Sequence, residues 1–397
     1  MKPGFPDSAA KPDQPDRAFR DRSSRRADND METGPAMAIR IIVWGTGSVG
    51  RIALREVIRN TETFELIGVK VYGDAKIGKD AGELSGEPAT GITAVKEIAD
   101  LPLDAADCVL YCPMVVDYED VAALLRSGVN VVTTASHVYP KFYGKEIHDR
   151  IDGAGKEGGA SFHGSGINPA FMSEILPITL SGLSARAKRI TVREVSDVNH
   201  YASTAPEIMC DHIGFGKTPE EAGHADDFLK GMTAYFSESM LAITDHLGVT
   251  LERIEEHHKV ATTNERITLA NGRVIEPGTV GCTLFEWHGI VNGEARIILS
   301  TFWKLTTNLT PAWDVASSDL VEWTVTIEGT PSFRCTVATG ASFDPASPEF
   351  GKGGEVAAVV ATAVHAVNAV PYVVAAAPGI RTFLDLPIIA SAAALRG

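Results

Sequence analysis

"AIRIIVWGTGSVGRIALREVIRN" (residues 38–60) decides the fold. Ile39 to Trp44 reads as a strand buried in a sheet. Gly45-Thr46-Gly47-Ser48-Val49-Gly50 then turns the chain into an amphipathic helix. Glycines allow a tight turn and a close backbone approach to phosphate, and the helix start offers free N–H groups and a positive dipole end. Such a glycine pattern is weak alone. Here a strand precedes it, a helix follows, and another strand, "FELIGVKVYG" (64–73), comes next, which predicts a dinucleotide-binding βαβ unit.

Moving outward, the second strand ends in "VYGDAKIGKDAGEL" (71–84). An acid at this tip, Asp74, would hold a ribose diol and favour NAD, whereas Lys76 and Lys79 would meet a 2′-phosphate. Tyr72 shares the tip, and the lysines tilt the expectation towards NADP(H) over NAD(H). "DCVLYCPM" (107–114) is a strand that leaves Cys112 and Pro113 at its carboxyl end, where open parallel sheets bind ligands. After the helix "DYEDVAALLRSG" (117–128), "NVVTTASHVYPKFYG" (130–144) begins as a strand and ends polar. Thr134 is expected against the nicotinamide end of the cofactor and Ser136 in the substrate pocket, with His137 or Tyr139 as proton donor. "GASFHGSGINPAFMSEILPITLSGL" (159–183) reads as a strand and a helix capped by Asn168, opened by Pro169 and kinked at Pro177. Asn168 is expected to fix nicotinamide or substrate.

In the second half, "AKRITVREVSDVNHYAS" (187–203) ends polar and offers His200 and Tyr201 to a pocket; "APEIMCDHIGFGKTPEEA" (205–222) offers Met209. "DDFLKGMTAYFSESMLAITDHLG" (226–248) is a long helix. "VTLERIEEHHKVAT", "GTVGCTLFEWHGIV", "EARIILSTFWKL" and "LVEWTVTIEG" alternate as antiparallel strands, with hairpin tips at "ANGR" and "VNGE". A sheet of this kind can face a second copy, so a homodimer or larger assembly is expected. "GEVAAVVATAVHAVNAVPYVVAAAPGI" (354–380) is an apolar helix expected to lie buried. The predicted organisation is a tail (1–36), an α/β dinucleotide-binding domain of the Rossmann type (37–170), an α+β substrate and dimerisation domain with a mainly antiparallel sheet (171–353), and a helix returning to the first domain (354–397).

The 397 residues suit two domains. A net charge of −15 argues against nucleic-acid or anionic-membrane partners, and leaves a small-molecule substrate. Five cysteines, an odd number without a Cys-x-x-Cys pair, point to a reducing cytoplasm. Cys210-Asp211-His212 is too tight for a metal set, so no metal is expected. Residues 1–36 are rich in Pro, Asp, Arg and Ser and lack an apolar period, the composition of a disordered tail; Met31 or Met37 is an alternative start.

"VWGTGSVGR", "GKDAGEL", "DCVLYCP", "NVVTT…YP", "GSGINPAF" and "NAVPYVVAAAPGIRTFLDLP" together resemble the dihydrodipicolinate reductase-like oxidoreductases, and within them the 2,4-diaminopentanoate dehydrogenase and native amine dehydrogenase group. The resemblance runs from about residue 38 to the end. It implies hydride transfer between a nicotinamide and the C=N or C=O carbon of a small or medium apolar substrate. Two departures stand out. His257-His258-Lys259 resembles a dihydrodipicolinate reductase motif but lacks the Ser-Gly-Thr that follows it, and adjacent strand residues face opposite ways, so the likeness is accidental. Amine-forming relatives resemble one another in a glutamate after the "TT" strand; here Ala135-Ser136-His137 stands there, with no local carboxylate. Glu207 or Asp197 would be substitutes from elsewhere. A histidine suits a neutral carbonyl better than a cationic iminium, which points to ketones or to imines needing only an acid. The alternative is a dinucleotide-binding redox sensor without turnover.

Overall fold

The structure, a computed structural model, describes residues 37–222, 227–316 and 319–393. The tail expected at 1–36 lies outside them, as does residue 226 of the predicted long helix. The described residues from Ala38 onward form one compact unit around two seven-stranded sheets.

The first sheet uses β1 (Ile39–Trp44), β2 (Phe64–Lys70), β3 (Ala94–Val95), β4 (Cys108–Tyr111), β5 (Asn130–Thr133) and β6 (Ser161–Gly164). The second uses β7 (Arg189–Asp197) and β8 (Arg253–Thr263) and, beyond a small hairpin of β9 (Ile267–Thr268) and β10 (Val274–Ile275), β11 (Val280–Val291), β12 (Glu294–Lys304), β13 (Leu309–Thr310), β14 (Val321–Glu328) and β15 (Phe333–Thr339). The chain then returns, and β16 (Gly379–Ile380) pairs with β6.

All pairs of the first sheet are parallel, in the order β16-β6-β5-β4-β1-β2-β3. The sequence direction reverses between β1 and β4, and a crevice opens at the carboxyl ends of such a pair. Ile41 to Trp44 are wholly buried, as the apolar run requires. The helix Gly354–Ala375 has the length and composition of a membrane span, but Ala363, Ala366, Val367, Val370 and Val373 pack into the same core as Ile41, Val43, Leu54 and Val132. Burying Val367, Val370 and Val373 there contributes roughly 1.5–3 kcal/mol each. A single change such as Val370→Asp would break this contact.

The second sheet has the order β13-β8-β11-β12-β7-β14-β15; β12 and β7 are parallel and the remaining pairs antiparallel. Asn292 and Gly293, both with positive φ, make the tip between β11 and β12. One sheet face packs Val192, Trp287, Leu299 and Val325 against Ile213, Met240 and Ile243. Met209, expected in a pocket, is wholly buried in this core, because its apolar side chain is the filler between helix and sheet.

Candidate active site

The glycine loop lies at the β1–β4 crevice. A Cβ on Gly45 would stand 3.2 Å from the Cys112 carbonyl, and one on Gly50 only 2.0 Å from the Gly45 oxygen, so the protein's own packing demands both glycines. Gly47 is different: nothing lies within 4 Å of its Cβ position. That open approach, at the cap of the helix Ser48–Arg59, fits a pyrophosphate. Beside it a recess of about 570 Å³ is lined by Thr46, Gly47, Ser48, Arg51, Lys76 and Lys79. The Lys76 ammonium donates to the Thr46 carbonyl (2.7 Å) and hydroxyl (3.2 Å), tying the second strand's tip to the loop. Asp74 points elsewhere: it pairs with Lys96 at 2.7 Å, its side chain is 82% exposed, and it lines none of these walls. Tyr72 also lies outside them, its hydroxyl accepting the Trp44 indole N–H at 2.8 Å.

On the other side of the loop a cavity of about 380 Å³ is lined by Ser48, Val49, Cys112, Pro113, Thr134, Ser136, Asn168 and Tyr201, among others. Burial pushes the Cys112 thiol up to about 11, so it is an inert wall. A chamber of about 440 Å³ shares Ser48, Val49, Asn168 and Tyr201 with this cavity and adds His200, Trp303, Trp323, Glu194 and Glu355.

Two carboxyls face that chamber. Glu194 accepts four hydrogen bonds, from Asn168 (2.6 Å), Trp323 (2.8 Å), Ser196 (2.9 Å) and Trp303 (3.1 Å). With four donors on its two oxygens, it is a fixed anchor. Glu355 stands at the start of the helix Gly354–Ala375. Burial, with help from Asp197 and Asp319, pushes it up to about 7 against the backbone N–H groups of Tyr201 and His200. A half-buried carboxyl poised near neutrality can take or give a proton.

Residues 171–396 match the family model of the 2,4-diaminopentanoate dehydrogenase C-terminal domain. An amine dehydrogenase from Streptomyces virginiae is 30% identical over 362 residues, covering 88% of this chain and 96% of that protein. The chain belongs to the amine and 2,4-diaminopentanoate dehydrogenase family. It is accordingly a nicotinamide-dependent oxidoreductase acting on a small molecule. The 2,4-diaminopentanoate dehydrogenase of Acetoanaerobium sticklandii is 24% identical, over 88% of this chain and 94% of its own length. The solved amine dehydrogenase of Mycobacterium smegmatis shares the fold, with a TM-score of 0.68 at 19% identity over 90% of this chain and 98% of that one.

Within this family member, several expected site residues are placed differently. His137 is buried and fully engaged: its Nδ1–H donates to the Ala135 carbonyl (2.9 Å), leaving Nε2 to accept from the Tyr118 hydroxyl (2.9 Å). Burial pulls its pKa down to about 4, and its ring stacks on Tyr143. It does not reach the cavity and has no proton to offer there. The Tyr139 hydroxyl donates to Asp245 at 2.8 Å and also lies away from the cavity. Asn168 does not cap a helix, because Asn168, Pro169 and Ala170 are non-helical; its amide turns to Glu194 instead. His257 lies beside His288, while His258 bonds Thr283, so the pair does split across β8.

A carboxyl from far along the chain packs against this stretch, outside the cavity. Glu238 accepts the backbone N–H groups of His137 (3.2 Å) and Tyr139 (2.5 Å). Neither it nor Glu194 nor Glu355 was expected from the sequence. Glu194 had a legible signal: strand alternation places it on the inward face with Ile190 and Val192.

Proposed function

We propose that this dehydrogenase interconverts a small or medium apolar amine and its carbonyl counterpart. The observation that supports it is the chamber beside the glycine loop, which combines apolar walls (Val198, Trp303, Val321, Trp323) with two carboxyls, Glu194 and Glu355. Apolar walls select an apolar substrate, and negative groups favour an ammonium or iminium over a neutral carbonyl. The earlier expectation of a histidine acid for ketones loses its support, since His137 is engaged elsewhere.

The cofactor, when bound, supplies or accepts the hydride. Gly47 and the start of the helix Ser48–Arg59 would hold its pyrophosphate, and Cys112, Pro113, Thr134 and Asn168 would wall its nicotinamide. Glu355 moves the proton. Glu194 orients Asn168. The homologues named amine dehydrogenase and 2,4-diaminopentanoate dehydrogenase support this chemistry. Reduced-cofactor oxidation should be measured with ketones, aldehydes and cyclic imines, with and without ammonium. Ketone turnover that requires ammonium is expected. Turnover indifferent to ammonium would favour a carbonyl reductase, and cofactor binding without turnover would favour a redox sensor.

Lys76 and Arg51 in the recess, with Asp74 turned away, support NADP(H) over NAD(H); Lys79 there is paired with Glu83 at 2.6 Å. Lys76→Ala should raise the KM for NADPH about tenfold and leave that for NADH nearly unchanged, the loss expected of one charge-assisted hydrogen bond. Equal losses for both cofactors would assign Lys76 only to bracing the loop. A homodimer through the outer face of the second sheet is supported by half-buried Ile298 and Phe302 on that face. Five unpaired cysteines support a cytoplasmic location.

A further inference from the structure

Among the described residues four non-glycines have positive φ: Ser136 (60°), His137 (61°), Ala170 (121°) and Asn292 (52°). Asn292 belongs to a hairpin tip. The other three sit in or beside two segments, Thr134–Ser136 and Ser165–Pro169, that wall the 380 Å³ cavity. Side chains rarely adopt such backbone conformations, which persist only where the surroundings over-determine them.

Two wholly buried carboxyls do so here. The turn made by Ser136 and His137, both with positive φ, leaves the His137 and Tyr139 N–H groups aimed into one buried niche. Glu238 fills it: Oε1 accepts the Tyr139 N–H (2.5 Å), and Oε2 accepts the His137 N–H (3.2 Å) and the Tyr143 hydroxyl (3.1 Å). On the second segment, Glu174 accepts the Ala170 N–H at 2.7 Å and also the Ser239 hydroxyl. Glu238 and Ser239 are neighbours on the helix Asp227–Leu247, so one helix holds both walls. Burial pushes Glu238 up to about 8 and Glu174 up to about 7, with Glu174 adding to the rise at Glu238. Carboxyls this dry are costly, and these contacts with the walls are their compensation.

We infer that Glu238 and Glu174 are positioning residues for hydride transfer, setting the spacing of the two cavity walls around the nicotinamide ring without touching it. The inference rests on reading this cavity as the nicotinamide end.

Glu238→Gln keeps the shape but sets an amide N–H₂ against backbone N–H groups. It should lower kcat about 10- to 100-fold, the scale of a sub-ångström to ångström misplacement, and abolish the fluorescence change of bound reduced cofactor. Binding of 2′,5′-ADP, which needs only the adenosine end, should be unchanged, and Glu238→Asp should recover part of kcat. Should Glu238→Gln not fold, Tyr143→Phe removes one of the three contacts and should give a smaller loss with the same split. Unchanged kcat in the soluble variant, or equal loss of ADP and nicotinamide binding, would overturn the clamp. Thr134→Trp, which fills the cavity, tests the underlying reading. If it leaves cofactor fluorescence intact, the ring is elsewhere and the proposal falls with it; if it abolishes the fluorescence while Glu238→Gln is silent, only the clamp fails.

Discussion

Glu355→Gln should lower turnover about 100-fold or more near neutral pH and flatten the pH profile, as removal of a general acid–base group does. The sign differs with direction. Amine oxidation needs the carboxylate, so the wild-type rate should rise as pH rises through about 7. Reductive amination needs the carboxylic acid for proton delivery, so that rate should fall over the same window. Burial is the main cause of the raised value, with Asp197 and Asp319 adding to it and two backbone N–H groups opposing it. The glutamine retains an acceptor for those N–H groups but carries no mobile proton. Initial rates in both directions from pH 5.5 to 9 check this. A variant that keeps the wild-type limb would remove Glu355 from proton transfer.

Two opposed sets of buried groups should let single substitutions tilt the pH dependence of stability in opposite directions. His163 and His365, like His137, are held neutral, with values near 4. A histidine with a depressed folded value contributes stability above the unfolded value near 6.5 and loses it as pH falls towards 4. Glu174 behaves oppositely. Its folded value near 7 lies above the unfolded one, so its contribution is complete below about 4.5 and is lost as pH rises through 7. Each shift is worth roughly 3 kcal/mol, a large part of a usual stability of about 5–15 kcal/mol. In the wild type the three histidines are opposed by three raised carboxyls, Glu174, Glu238 and Glu355, so the two sets nearly cancel between pH 4.5 and 6.5 and the curve should be flat there. His163→Gln should gain on the wild type by about 3 kcal/mol as pH falls from 6.5 to 4, because it has no imidazole to charge. Glu174→Gln should gain by a similar amount as pH rises from 4.5 to 7.5. Denaturant titrations at four pH values measure both differences. Parallel curves for variant and wild type would show that these groups titrate alike in the folded and unfolded chains.

The sequence alone determined what local sterics and periodicity determine. The glycine loop follows from φ/ψ freedom at Gly45 and from the space that Gly50 leaves for the loop. The parallel strands follow from apolar runs, and the second sheet from alternation. These rules also located Cys112, Pro113, Thr134 and Ser136 at the strand ends around the cavity. They misjudged His137, Tyr139 and Met209, because a residue's type does not say whether its polar atoms are already taken or which core it fills. The tertiary structure decided the chemistry. Glu238 meets His137 across 101 residues of chain, Glu194 meets Asn168 across 26, and Glu355 reaches the chamber from the helix that follows β15. Such meetings depend on how the whole chain packs, and burial then resets the proton affinity of each carboxyl. No local pattern carries that information, since the dielectric around a side chain is set by neighbours that are distant in sequence.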